Sequence, residues 1–293
     1  KERKQQRQIM KFIAATIFLV YATLDCVASD KLLARNVEAE LPGIYKSESK
    51  SKYTIEITNP NSTLTKNITL TILDARAKER KEGLSKRDFF NKYGFVILEH
   101  TSAMSGEDWV ATLRNVTELI ESYDNSDEYK KLMDQYQHAN TPGKKIYSKE
   151  IEEMIRLVLP DAKEVIAPAK GILRAPNTTA SPIKALHSDY GIDFERLVNT
   201  SQFIDFHPHR KQYEDTTANE IMLVNFWRPV LPMSQPLRSN PLCFLDTSTV
   251  DSDDIVTLEV TKNGKFFSEI ISLKESPRHQ FYYYPDMTID EVI

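Results

Sequence analysis

The sequence predicts an α+β chain, a β-sandwich or jelly roll with helices packed against it. Three observations predict this. Two segments near the N-terminus alternate apolar and polar residues with period two, residues 76–170 are patterned mainly as helix, and residues 171–293 break into short apolar runs at close spacing. Strands that follow one another at short intervals after a helical stretch suit a sandwich or roll. The chain has 293 residues, 41% hydrophobic and 27% charged, which is ordinary globular usage and excludes the disordered and fibrous classes.

Taken in order, Tyr53, Ile55 and Ile57 share one face, as do Ile68, Leu70 and Ile72, with Asn59-Pro60-Asn61-Ser62 between them as turn chemistry. Residues 30–75 therefore read as a β-hairpin region. Lys78 to Lys92 reads as a charged helix ended at Gly94, and Phe95 to Leu98 as a short strand. Trp109, Leu113, Val116 and Ile120 recur at helical spacing through 107–123. Ser148 is read as the cap of a helix with Ile151, Met154, Ile155, Val158 and Leu159 on one face, stopped by Pro160. The strand candidates of the last part are 171–174, 221–227, 242–245, 256–260, 266–273 and 280–284.

Charge and composition exclude several functions. The net charge is −4, so the chain lacks the basic balance of a nucleic-acid binder. Glycine is scarce, at 8 residues, and neither a dinucleotide fingerprint nor a P-loop is present. With only Cys26 and Cys243, a disulfide scaffold or a cysteine-based zinc protein is excluded.

The N-terminus is different. Lys1, Arg3, Lys4, Arg7 and Lys11 precede an uncharged run from Phe12 to Leu24, with small residues at Ala28-Ser29. This pattern resembles a secretory signal peptide over residues 1–29, the alternative being a buried N-terminal helix. As a helix the run rises roughly 20 Å, short of the ~30 Å hydrocarbon core, so no stable membrane span is expected. Glycosylation sequons stand at Asn61, Asn67, Asn115, Asn177 and Asn199. A genuine signal places the protein outside the cell or in the endoplasmic reticulum lumen; otherwise it is cytoplasmic.

One motif in the β-rich part carries chemistry, His187-Ser188-Asp189. On a strand, residues i and i+2 point to the same face, so an imidazole nitrogen and a carboxylate oxygen can converge on one ion. A third histidine from elsewhere would complete a two-histidine, one-carboxylate face, which leaves positions open and suits ferrous iron. The alternative is a surface histidine beside an aspartate.

The flanking segments resemble a known family. They are Ala185 to Tyr190, Asn225-Phe226-Trp227-Arg228-Pro229, Pro241 to Asp246, and Arg278 to Thr288 with its Tyr-Tyr-Tyr-Pro-Asp-Met-Thr run; upstream, Asp74-Ala75-Arg76 and Tyr93 to Leu98 fit as well. Together they resemble the non-haem iron oxygenase-like proteins that include the fungal gibberellin desaturase and aspergillic-acid hydroxylase, with relatives in cephamycin biosynthesis. The resemblance spans roughly residues 70–293. It implies a double-stranded β-helix (jelly roll) as a single oxygenase-like domain over residues 30–293, mainly helical at 76–170 and with its jelly-roll core at 171–293. It also implies Fe(II) as cofactor, 2-oxoglutarate as co-substrate, and hydroxylation or desaturation of a small organic substrate of secondary-metabolite type.

There are departures. Phe281 stands where the family has tryptophan, and the chain stops at Ile293, before the family's late histidine and arginine. These resemble the third iron ligand and the partner of the distal 2-oxoglutarate carboxylate. The roll is therefore expected to lack its last strands, as a fragment or mis-joined gene model would, with Tyr282, Tyr283 and Tyr284 short of cover. His279 is the late histidine present and the candidate third ligand, against a packing role under the tyrosines. Arg228 and Arg174 are candidates for the co-substrate carboxylate, since a guanidinium binds it bidentately; for Arg228 the alternative is a tie to a backbone carbonyl. Tyr190 is a candidate for a hydrogen bond behind the ligand pair. His207-Pro208-His209 reads as a solvated loop, and His100 and His138 as surface residues of the helical part. The rival reading is a secreted, non-catalytic glycoprotein or binding module of the same fold. Substrate and oligomeric state are open.

Overall fold

The computed structural model describes residues 20–21, 35–56, 65–112, 131, 141–167, 186–191, 222–231, 233–262 and 264–293. Ten strands lie among them: β1 (Val20–Tyr21), β2 (Val37–Tyr45), β3 (Lys52–Glu56), β4 (Thr65–Asp74), β5 (Leu98–Glu99), β6 (Leu242–Leu245), β7 (Ile255–Lys262), β8 (Lys265–Leu273), β9 (Phe281–Tyr283) and β10 (Glu291–Val292). They form a five-stranded sheet in the order β1-β6-β9-β4-β2, a three-stranded sheet β3-β7-β8, and the pair β10-β5. The helices are α1 (Ala75–Glu82), α2 (Lys86–Tyr93) and α3 (Ser148–Val158), with residues 106–112 also helical.

The large sheet is buried on both faces at β6 and β9, and its side-chain alternation shows why. Cys243, Leu245, Phe281, Tyr283 and Ile72 point toward a core shared with Ile255, Ile271 and Leu273 of the small sheet. Their neighbours Leu242, Phe244 and Tyr282 point the other way, into a core with Phe89, Phe90 and Tyr93 of α2 and Met154 and Val158 of α3. A strand apolar at every position is the expected sequence for a sheet covered on both sides, and all four residues of β6 are buried. The result is a two-sheet sandwich with helices on the outer face of the larger sheet. Among the described residues the sheets do not close into a barrel, and the expected jelly roll is matched only as far as two packed sheets of mixed pairing.

Helix ends follow local chemistry. The Asp74 carboxylate accepts from the Ala77 amide at 3.0 Å and starts α1. Gly83, at φ +60°, ends it in the left-handed region where an L side chain is strained. The single helix expected from Lys78 to Lys92 is therefore two helices. Ser85 caps the second by accepting from the Asp88 amide, and Gly94 ends it at φ 83°. The helix 148–158 is present, but Ser148 does not cap it. It continues a π-helical turn, Gly143–Tyr147, and the chain enters already helical.

Strand pairing departs from the sequence reading more than strand position does. Residues 52–56 and 65–74 do not form a hairpin. β3 runs parallel to β7, while β4 lies between β2, antiparallel, and β9, parallel. Period-two patterning reports faces and leaves partners open, and here both partners come from more than 200 residues along the chain or from the segment before. Phe95 to Ile97 are buried but not strand, with β5 beginning at Leu98. Residues 222–228 form neither helix nor strand, and candidate 171–174 lies outside the described residues. β1, inside the uncharged run read as a signal segment, pairs with β6, Val20 opposite Cys243. No helix among the described residues is long and apolar enough to cross a membrane.

Tyr282, Tyr283 and Tyr284 are not short of cover; they are 5%, 3% and 1% exposed. The Tyr284 hydroxyl donates to Glu79 at 2.5 Å, and Lys78 lies 4.6 Å from the Tyr282 ring centre. Phe244, 1% exposed, stacks on Phe95 at 5.4 Å and meets Tyr284 edge-on. Phe244→Ala is expected to cost about 3–5 kcal/mol, whereas Leu157→Ala, at a site 62% exposed, should stay within about 0.5 kcal/mol. Urea midpoints of the two variants check this; equal shifts would show that the aromatic cluster is not the core.

Candidate active site

His187 and Asp189 are brought together beside β8. The Ser188 amide donates to the Ile271 carbonyl at 2.7 Å, and the Ser272 hydroxyl donates to the Leu186 carbonyl at 3.0 Å. Leu186, His187 and Ser188 are buried as a result. The strand-like pairing stops there. The Tyr190 amide donates to the Ser188 hydroxyl at 3.3 Å, and that hydroxyl donates to the Tyr190 carbonyl at 3.1 Å, so the chain bends just after Ser188. Asp189 thus sits in a bend and not on a continuous strand. Its Oδ1 still lies 3.3 Å from His187 Nε2.

The two side chains differ in exposure, 11% for His187 and 38% for Asp189. A buried imidazole beside a solvent-facing carboxylate presents both donors to one small volume. Two donors held about 2.1 Å from a common ion at right angles are about 3.0 Å apart, close to the separation found. The pair therefore fits two positions of a metal ion. Among the described residues no third histidine, cysteine, aspartate or glutamate joins them.

Sequence reasoning passed over Asn225, whose Nδ2 donates to Asp189 Oδ2 at 2.7 Å. The signal was in view, since Asn225 opens the Asn-Phe-Trp-Arg-Pro segment, but a contact across 36 positions is not legible from spacing. It also passed over Gly191. A Cβ there would lie 2.8 Å from Cβ of the buried Glu269, so the bend needs a residue without a side chain.

The other candidates lie elsewhere. His279 Nε2 is 3.1 Å from Asp254 Oδ2, its ring is edge-on to Phe281, and Arg278 donates to the same carboxylate at 3.0 Å. It does not join His187 and Asp189. Arg228 donates to the His100 carbonyl at 2.7 Å and to the Ile289 carbonyl, which is the backbone tie. His100 is not on a helix; it follows β5, with Nδ1 3.3 Å from Arg228 Nη1. Tyr190 is half-buried. Asn67 is on β4, exposed, and donates to Glu40 at 2.7 Å. Arg174, Asn61, Asn115, Asn177, Asn199, His138, His207 and His209 lie outside the described residues.

The fold has counterparts among solved structures. The iron and alpha-ketoglutarate-dependent endoperoxidase NvfI, in a different conformation, matches with a TM-score of 0.51 at 18% identity, covering 88% of this chain and 82% of that one. The same enzyme in a tryptophan-to-phenylalanine variant matches with 0.51 at 17% identity, and a third structure of it with 0.50, both at the same coverage. At such identity the likeness is one of fold. No curated protein sequence gives a significant match. Residues 39–293 match the family model described as Oxidoreductase/YMDC permease-like domain, and the chain belongs to that family.

Burial holds His279 below the ordinary histidine range, with Asp254 opposing the shift. Well above the unfolded value, near pH 6.5, the imidazole is neutral in both states and burial carries no charge penalty. As pH falls, the unfolded chain takes up the proton first, so stability drops until the folded value is passed. His279→Gln, which keeps a donor for Asp254, is expected to lose less stability than the wild type between about pH 7 and pH 5. Urea midpoints at both pH values test it, and parallel losses would contradict it.

Proposed function

We propose that this protein is an Fe(II)- and 2-oxoglutarate-dependent oxidoreductase that hydroxylates or desaturates a small organic substrate. The observation that carries the reading is the 3.3 Å approach of His187 Nε2 to Asp189 Oδ1, in a chain whose fold is like that of an iron and alpha-ketoglutarate-dependent endoperoxidase. His187 and Asp189 would hold the metal, with the third ligand supplied from outside the described residues. Bound iron and its co-substrate would supply the oxygen activation that protein side chains lack.

The chain's own work is to position and to exclude water. His187 offers its Nε2 lone pair from a buried position, and the bond from Ser188 to β8 fixes where that ring starts. Asp189 offers one oxygen to the ion while the other is held by Asn225. The Arg228 guanidinium is taken up by the His100 and Ile289 carbonyls and by Tyr147. The co-substrate carboxylate is therefore assigned to another cation, with Arg174 the candidate.

Anaerobic calorimetry with Mn(II) or Fe(II), followed by succinate release with 2-oxoglutarate, tests the proposal. The wild type should bind one ion per chain, and His187→Ala or Asp189→Ala should abolish binding while circular dichroism stays unchanged. Equal affinity in all three proteins would overturn it. A folded protein that binds no metal would instead be a binding module of this fold.

A further inference from the structure

We infer that Asn225 is a positioning residue that fixes the orientation of the Asp189 carboxylate and thereby sets the affinity and geometry of the metal site; the inference rests on the function proposed above. A carboxylate turns freely about its last torsion, which has broad, two-fold preferences. Asp189 is 38% exposed, so packing alone does not hold it. With Oδ1 toward His187 and Oδ2 accepting from Asn225 Nδ2 at 2.7 Å, that torsion has one setting. Oδ1 is then presented to the ion and Oδ2 is occupied, so the carboxylate binds through one oxygen.

The type of donor matters. An amide is neutral, so it orients the carboxylate without a second positive charge competing with the metal. An arginine or lysine in its place would form an ion pair and weaken the ligand for a cation.

Asn225 can do this because its own backbone is held. Val224 and Phe226, on either side, pack into the helix-side core. Trp227 and Ile293 exchange two backbone hydrogen bonds, both 2.9 Å. Arg228 then bonds the carbonyls of His100 and Ile289. Trp227 packs into the same core, and Asn225 is the residue of this run that meets Asp189. Outer partners of metal ligands of this kind are typically worth 10–100-fold in metal affinity.

The experiment is Co(II) titration of the full chain, read by calorimetry and by the visible d–d spectrum, for the wild type, Asn225→Ala and Val158→Ala. Val158→Ala removes packing from α3, where Val158 is buried, and leaves residues 222–228 unchanged. Expected are one Co(II) per wild-type chain, an affinity 10–100-fold weaker and a changed spectrum per bound ion in Asn225→Ala, and wild-type affinity and spectrum in Val158→Ala. A purely structural role would lower thermal stability and leave the spectrum of the bound ion unchanged. Wild-type Co(II) binding with the same affinity and spectrum in Asn225→Ala overturns this inference alone. Failure of the wild type to bind Co(II) overturns the proposed function, and this inference with it.

Discussion

A forked ion pair between Arg76 of α1 and Glu291 of β10 ties the end of the chain to the helix side. Both terminal nitrogens of Arg76 donate to the two Glu291 oxygens at 2.8 Å, and its Nε donates to the Pro285 carbonyl at 3.0 Å. Burial works against the charge of Arg76, but Glu291 outweighs it and holds the guanidinium above its ordinary range. Glu291 also accepts from the Thr288 amide at 2.9 Å. A forked, charge-assisted pair fixes direction as well as distance. Here it spans 215 positions and sets where the last residues run. β10 then pairs with β5, and Ile293 pairs with Trp227. Trp227 is two residues from Asn225, and Asn225 holds Asp189. A single ion pair on the helix side is thus linked by short steps to the carboxylate of the candidate metal site.

The large sheet makes that linkage possible because it serves two cores. Its helix side carries Phe244, Tyr282 and Tyr284 with the helices, and its inner side carries Cys243, Phe281 and Tyr283 with the small sheet. His187 belongs to a segment bonded to the edge of that small sheet. Sliding either sheet would move His187 relative to Asn225, whose segment is anchored on the opposite side. The lysine at the centre of the helix side has its own constraint. Lys78 meets Asp246 at 3.2 Å and the Tyr282 hydroxyl at 3.0 Å, so a charge tucked beneath the helices is paired and costs less than an isolated one.

Much of the local structure was legible in sequence. β6 is four apolar residues between a proline and an aspartate, and Gly94 ends a helix because its left-handed backbone favours glycine. What was not legible is partnership at long range. Ile55 and Ile57 alternate as well as Ile68 and Leu70 do, yet a parallel partner such as β7 leaves no local mark. The same limit applies to the site. The spacing of His187 and Asp189 indicated two ligands on one side, and they do approach, although through a bend that the hydroxyl of Ser188 creates. Arg228 stood out as a motif residue, but the two carbonyls it bonds come from loops 128 and 61 positions away. Asn225 belongs to the same motif, and its role depends on where Asp189 arrives.

Whether His187 and Asp189 share one metal ion can be seen in a crystal of the full chain soaked in Mn(II), with anomalous scattering collected at a wavelength where manganese dominates. One strong anomalous peak is expected about 2.0–2.3 Å from both His187 Nε2 and Asp189 Oδ1. A peak bound by other residues, or an ordered site with His187 and Asp189 still paired and no anomalous signal between them, would contradict it.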